Sequence, residues 1–99
     1  MILTTTNTIE GHKVQDYLGI VTGVSIKVKK GGMTFSMEKY ADSFEALLSE
    51  IKEEAFQELR KNAINLKANA IVGIKIDIEP LTSFSMIMVS ITGTAVKVV

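Results

Sequence analysis

His12, flanked by Glu10 and Asp16, is the one histidine of this sequence and its only imidazole base or nitrogen ligand. A transition-metal site draws on several convergent His, Cys or carboxylate groups. A lone histidine in a polar turn supplies one of them, so no metal ligands are assigned. Asp77 and Glu79 stand two apart on a strand pattern and share a face, where two carboxylates can hold a hard cation weakly. The simpler expectation is a solvated strand face, with Lys27 or Lys29 paired across from it. Met33 and Met37 are four apart and Met86 and Met88 two apart, spacings at which thioether sites for Cu(I) occur. Without a cysteine or a second histidine, core packing accounts for them better. Serine and threonine abound, but no sequence feature places one beside His12, so no nucleophile–base pair is assigned. Gly31-Gly32 is followed by neither a lysine nor a helix start, which removes a phosphate-binding loop. Glu50, Glu54 and Glu58 repeat at four-residue spacing as an exposed face whose mutual repulsion argues against a tuned acid–base pair. No catalytic residue and no cofactor are therefore expected, cofactor-binding residues stay unassigned, and the chain is expected not to be an enzyme.

The composition narrows the partners. The 99 residues carry 11 basic and 11 acidic side chains, so no net field draws the chain to nucleic acid or an anionic membrane. Hydrophobic residues make up 46% and there is no cysteine, which fits a well-folded domain without disulfides or thiolate sites. The amino terminus lacks the charged and apolar regions of a signal peptide. The longest uncharged run, Pro80 to Val96, is too short and too rich in Ser, Thr and Gly to span a bilayer. Residues 1–99 are expected to form a single domain, soluble and cytoplasmic.

These residues must be positioned by few elements. Residues 1–13 suggest a short edge strand and a turn at Glu10-Gly11-His12. From Val14 to Lys29 the chain alternates, with Val14, Leu18, Ile20, Val24, Ile26 and Val28 on one face and Tyr17, Val21, Ser25, Lys27 and Lys29 on the other. Gly19 and Gly23 interrupt the second face, where glycine marks a bulge or a close backbone approach. Met33, Phe35 and Met37 suggest a short extra strand. A helix then starts at Asp42, with Glu45 completing a capping box. Phe44, Leu47, Leu48, Ile51, Ala55, Leu59 and Leu66 form its apolar stripe. Acidic residues lead and Arg60, Lys61 and Lys67 follow, in the sense of the macrodipole. Asn62 falls within the stripe, where it is expected to reach solvent near a frayed end. Ile64 lies almost opposite, as a tolerated exposed side chain or a contact with another copy.

The last thirty residues, Ala70 to Val99, have the pattern of one β-hairpin. Ile74, Ile76 and Ile78 alternate with Lys75, Asp77 and Glu79. The second strand is apolar on both faces: Phe84, Met86, Met88, Val96 and Val98 on one, Ile87, Val89, Ile91 and Ala95 on the other. One helix covers one face of a sheet, so the other face needs cover, most simply a second copy of the chain. The expected fold is α+β: one long helix on a mostly antiparallel sheet, in β-α-β-β order with a short strand in front.

Several segments carry a family resemblance. Thr5-Thr6-Asn7-Thr8-Ile9-Glu10-Gly11, Tyr17-Leu18-Gly19-Ile20-Val21-Thr22-Gly23, Ala55-Phe56-Gln57-Glu58-Leu59, Ala68-Asn69-Ala70-Ile71-Val72-Gly73-Ile74 and the run Met88 to Lys97 are similar to motifs of the YbjQ-like family, in the family's order. The resemblance implies a dodecin-like subunit in a ring-shaped homopentamer with strands pairing between neighbours. It also implies a bacterial or archaeal cytoplasmic protein with no established activity, in a family sometimes labelled heavy-metal-binding. Two departures stand out. Val24 to Ala41 replaces a longer, Gly-rich family segment, so a function housed there does not carry over. Lys67 stands where the family commonly has Gly; either Lys67 takes a left-handed backbone at about a kcal/mol of strain, or Asn69 takes it and the helix ends later. The functional expectation is a homo-oligomeric scaffold or small-ligand binder with any site between subunits, with a metal-binding or metal-responsive protein as the alternative.

Overall fold

A computed structural model of the chain describes residues 1–28, 37–81 and 86–99, with side chains for 1–28, 44–80 and 86–99. The elements are β1 (Ile2–Leu3), β2 (Val14–Val28), α1 (Met37–Asn65), β3 (Ala70–Leu81) and β4 (Met86–Val98). They build an α+β fold with one helix on a four-stranded mixed sheet of order β1-β3-β4-β2. The hairpin partner β4 is central. β2 and β3 both run antiparallel to it, and β1 pairs in parallel with Ala70 and Ile71 of β3.

The helix begins at Met37, five residues before the expected cap, so Asp42 and Glu45 lie inside it and form no capping box. Met37 to Ala41 contains no glycine or proline to stop helix growth backwards from the apolar stripe. The suggested extra strand loses Met37 to this helix; Met33 and Phe35 lie outside the described residues. Ile51, Ala55, Leu59 and Ala63 are fully buried, while Leu66 is 40% exposed beyond the helix end. The last helical turn carries no basic residue, because the helix stops at Asn65, well past Arg60 and Lys61. Of the two C-terminal alternatives, Lys67 takes the left-handed backbone, with φ 65°. The Lys67 amide donates to Ile64 O (2.8 Å) and the Ala68 amide to Ala63 O (3.1 Å), the paired bonds of a Schellman cap.

Bulges decide which residues of β2 face the helix. Register shifts fall between Val14 and Asp16 and between Tyr17 and Gly19. They move Leu18 to the helix side, against its expected place beside Ile20. Val21, Gly23, Ser25 and Lys27 stand opposite Gly93, Ile91, Val89 and Ile87 under the helix. The more apolar row, Ile20, Val24, Ile26 and Val28, points away from it. Gly23 is the contact point. A Cβ there would overlap the carbonyl oxygen of Ala55 and come within 2.7 Å of the Leu59 nitrogen. Asn62 is half-buried and not simply solvated; its Nδ2 donates to the Thr22 carbonyl at 2.8 Å and ties the helix to β2. Small residues at Gly23, Ala55 and Ala63 thus seat α1 over β2 and β4, to one side of the sheet centre.

The two faces of β4 are as expected, but their covers differ from the expectation. Ile87, Val89, Ile91 and Ala95 lie under α1. On the other face Val96 and Val98 are buried by the chain itself, with Ala70, Val72, Ile9 and Val14 around them. No second copy is needed at that end, because the segment before β2 folds back over it. Further along, Met86 and Met88 are only half-buried. Phe84 lies outside the described residues.

Candidate interaction site

Among the described residues, His12 and the strand carboxylates do not gather into one site; Met33 and the side chain of Met37 lie outside them. His12 is exposed just after its turn, its amide donating to Ile9 O at 3.0 Å, and Glu10 and Asp16 are exposed as well. Among the described residues no three His, Cys, Asp or Glu side chains are grouped to hold a metal ion. Asp77 and Glu79 stand opposite Ser90 and Met88 on the face turned away from the helix, so they do not meet Lys27 as expected. β4 lies between β3 and β2, and Lys27 points to the helix side. Lys29 lies outside the described residues.

Glu50, Glu54 and Glu58 are exposed as expected, and Lys27 pairs with the first two. Its Nζ lies 2.5 Å from Glu50 Oε1 and 2.9 Å from Glu54 Oε1. Ser25 Oγ donates to Glu54 Oε2 at 2.8 Å. The Lys27 hydrogen bond, with help from Ser25, holds the Glu54 carboxyl below the usual glutamate range. The bonds to Glu50 and then Glu54 hold the Lys27 ammonium above the usual lysine range. The Glu54 contribution to stability is present above the ordinary glutamate pKa and fades as pH falls through its lowered value. The Lys27 contribution is present below the ordinary lysine pKa and fades as pH rises through its raised value. Thermal melts of Lys27→Met are therefore expected to fall less steeply than wild type at both pH extremes, by a small margin because the pair is solvent-screened. Superimposable pH profiles for the two proteins would contradict this.

Two apolar surfaces stand out. The first is the row Ile20 (77% exposed), Val24 (45%), Ile26 (48%) and Val28 (60%) on β2, facing away from the helix. Across from it on β4 run Met86, Met88, Ser90, Thr92 and Thr94, and beyond them Lys75, Asp77 and Glu79 on β3. The second is a groove of ≈ 370 Å³ on the helix side, between α1 and β3. Leu3, Phe56, Ile74 and Ile76 form its walls, with Glu53 and Arg60 on the rim. Arg60 Nη1 is 4.0 Å from Glu53 Oε1, a loose, exposed pair. The groove exists because α1 sits over β2 and β4, which leaves Ile76 at 41% and Ile78 at 43% exposure. The bulge at Gly73 (φ 62°) and the bonds from Gly73 N to Thr6 O and Ile74 N to Thr4 O set the N-terminal segment as its end wall. Sequence reasoning did not identify this groove. Its signal was Phe56, an aromatic residue just off the helix stripe, together with the isoleucines of β3.

The family comparison covers the whole of this geometry. A family model described as "Putative heavy-metal-binding" matches residues 1–99. The chain belongs to the YbjQ-like family. Among its YbjQ-like relatives, a UPF0145 protein of Clostridium kluyveri is 44% identical over 105 residues, covering 99% of each chain. UPF0145 proteins of Acetivibrio thermocellus (42% identical, 99% of each chain) and Anoxybacillus flavithermus (40%, 98% of this chain and 97% of that one) are similar along their lengths. A DUF74-family protein of unknown function from Pediococcus pentosaceus has a crystal structure that aligns at TM-score 0.76 and 20% identity. It covers 100% of this chain and 98% of that one, and the likeness supports the YbjQ-like fold alone. Neither the family description nor these names assign a catalytic activity. No described helix is long and apolar enough to cross a membrane.

Proposed function

We propose that this YbjQ-like chain is a non-catalytic cytoplasmic subunit of a homo-oligomeric ring, a pentamer by the family resemblance, serving as a scaffold or holding a small ligand between subunits. The observation that carries the reading is the exposed row Ile20, Val24, Ile26 and Val28 on a sheet that, among the described residues, has one helix against it. The dimensions agree with it. The radius of gyration is 16.4 Å, where a compact domain of this length has about 13 Å. The accessible surface is 6805 Å², roughly 1,300 Å² above that of a typical monomer of this mass, an excess on the scale that a subunit hides in a stable interface. Both sheet edges support pairing with neighbours. Among the described residues the outer edge of β2 and that of β3 from Lys75 onward have no strand partner.

Sedimentation velocity at micromolar concentration tests this. The wild type is expected to run as a discrete oligomer, and Ile26→Asp as a folded monomer with an unchanged circular dichroism spectrum. A stable wild-type monomer would overturn the reading.

Metal binding is the second reading, and the family description is what favours it. Isothermal titration with Zn(II), Ni(II) and Cu(I), repeated on His12→Ala, separates the two. The scaffold reading expects no saturable heat; stoichiometric binding abolished by His12→Ala would move the assignment to metal.

A further inference from the structure

We propose that the groove between α1 and β3 binds a free α-amino acid with a branched aliphatic or aromatic side chain. The proposal rests on the small-ligand half of the reading above and names the class of ligand. The apolar part of the site is a trough walled by Leu3, Phe56, Ile74 and Ile76. Its volume of ≈ 370 Å³ lies at the small end of the range for ligand sites, about 300–1,000 Å³. That suits one compact side chain better than a nucleotide-sized cofactor. The trough opens on the helix-side face of the sheet. Along its border runs the edge of β3 from Lys75 onward, which has no strand partner among the described residues. Strand pairing with a neighbour at that edge leaves the trough open and sets the neighbour beside it.

The rim supplies the charge. Glu53 and Arg60 lie one helical turn to either side of Phe56, so a carboxylate and a guanidinium stand over the same apolar floor. Their charges cancel, which fits a zwitterion: its ammonium to Glu53, its carboxylate to Arg60 and its side chain down onto Phe56 and Ile76. A simple fatty acid would set its carboxylate against Glu53, and a simple amine its ammonium against Arg60. The two rim residues do not satisfy each other. Arg60 Nη1 stands 4.0 Å from Glu53 Oε1, with the side chains 47% and 62% exposed. That same oxygen accepts from Gln57 Nε2 at 3.4 Å, long for a hydrogen bond. A ligand gives up little in displacing such contacts, and it replaces them with charge-assisted bonds, bidentate at the guanidinium.

Calorimetric titration of the assembled protein with leucine, leucine amide and N-acetylleucine tests this. The amide lacks the carboxylate and the acetyl form lacks the ammonium, while all three share one side chain. Leucine is expected to bind saturably at one site per chain, and each blocked form about tenfold or more weaker. Glu53→Gln is expected to weaken leucine by a similar factor and leave N-acetylleucine unchanged; Arg60→Gln is expected to weaken leucine and leave leucine amide unchanged. Both substitutions lie on the exposed rim, and circular dichroism checks that the fold is kept. Leucine amide binding as tightly as leucine would overturn the proposal in favour of an amine or a peptide amino terminus. N-acetylleucine doing so would overturn it in favour of a plain carboxylate, and glycine doing so would remove the trough from the site. An oligomer by sedimentation that binds neither leucine nor phenylalanine would overturn the proposal and leave the oligomeric reading standing. A monomer that binds leucine with the expected pattern would support the site and overturn the ring.

Discussion

Gly23→Ala is expected to destabilise the subunit by about 3 kcal/mol or more, at or beyond the upper end of ordinary overpacking. The reason is what the new methyl would meet. It would overlap the carbonyl oxygen of Ala55 and approach the Leu59 nitrogen to 2.7 Å, and both are helix backbone with no rotamer to change. Relief requires α1 to lift from β2, which opens the contact of Ala55 and Leu59, both fully buried, with the sheet. The Asn62 bond to the Thr22 carbonyl would be lost with it. A domain of about 100 residues has roughly 5–15 kcal/mol in total, so a large fraction of the population is expected to unfold at modest denaturant. Urea unfolding of the two proteins checks this; a midpoint within experimental error of wild type would show that the helix is less tightly seated than its geometry requires.

Val89→Asp is expected to cost about 4–5 kcal/mol and to abolish folding, not merely assembly. Val89 is fully buried beneath α1, between Ser25 of β2 and Ile78 of β3. Lys27, on the same face of β2, is already engaged by Glu50 and Glu54. Ile91→Asp, equally buried, should behave the same way. The contrast with Ile26→Asp separates core from interface: both place a carboxylate on an aliphatic position of the sheet, on opposite faces. Soluble, cooperatively melting Val89→Asp protein of native size would contradict the burial of this face.

The legible parts of the fold were those governed by local pattern. The isoleucine alternation of β3, the two-sided apolar character of β4 and the 3.6-residue stripe of α1 are properties of neighbouring residues, and all three elements formed. Gly19 and Gly23 were recognisable as a bulge and a close approach, because few other demands on a strand favour glycine there. The helix start was misplaced because Asp42 and Glu45 imitate a cap while the residues before them are equally able to be helical. No chemical site was legible: His12 is exposed beside its turn, and among the described residues no three His, Cys, Asp or Glu side chains group to hold a metal ion.

The sequence by itself determined the α+β class, the order of elements and the family, since periodicity and motifs are written along the chain. Only the tertiary structure decided which face of β2 meets the helix. Alternation reports two faces but not which is covered, and here the face with Gly23 prevails because a glycine lets the helix backbone approach closely. The aliphatic row is left outside. The same off-centre seating opens the groove beside Phe56 and Ile76, a surface made by residues distant in sequence and therefore invisible until the chain is folded.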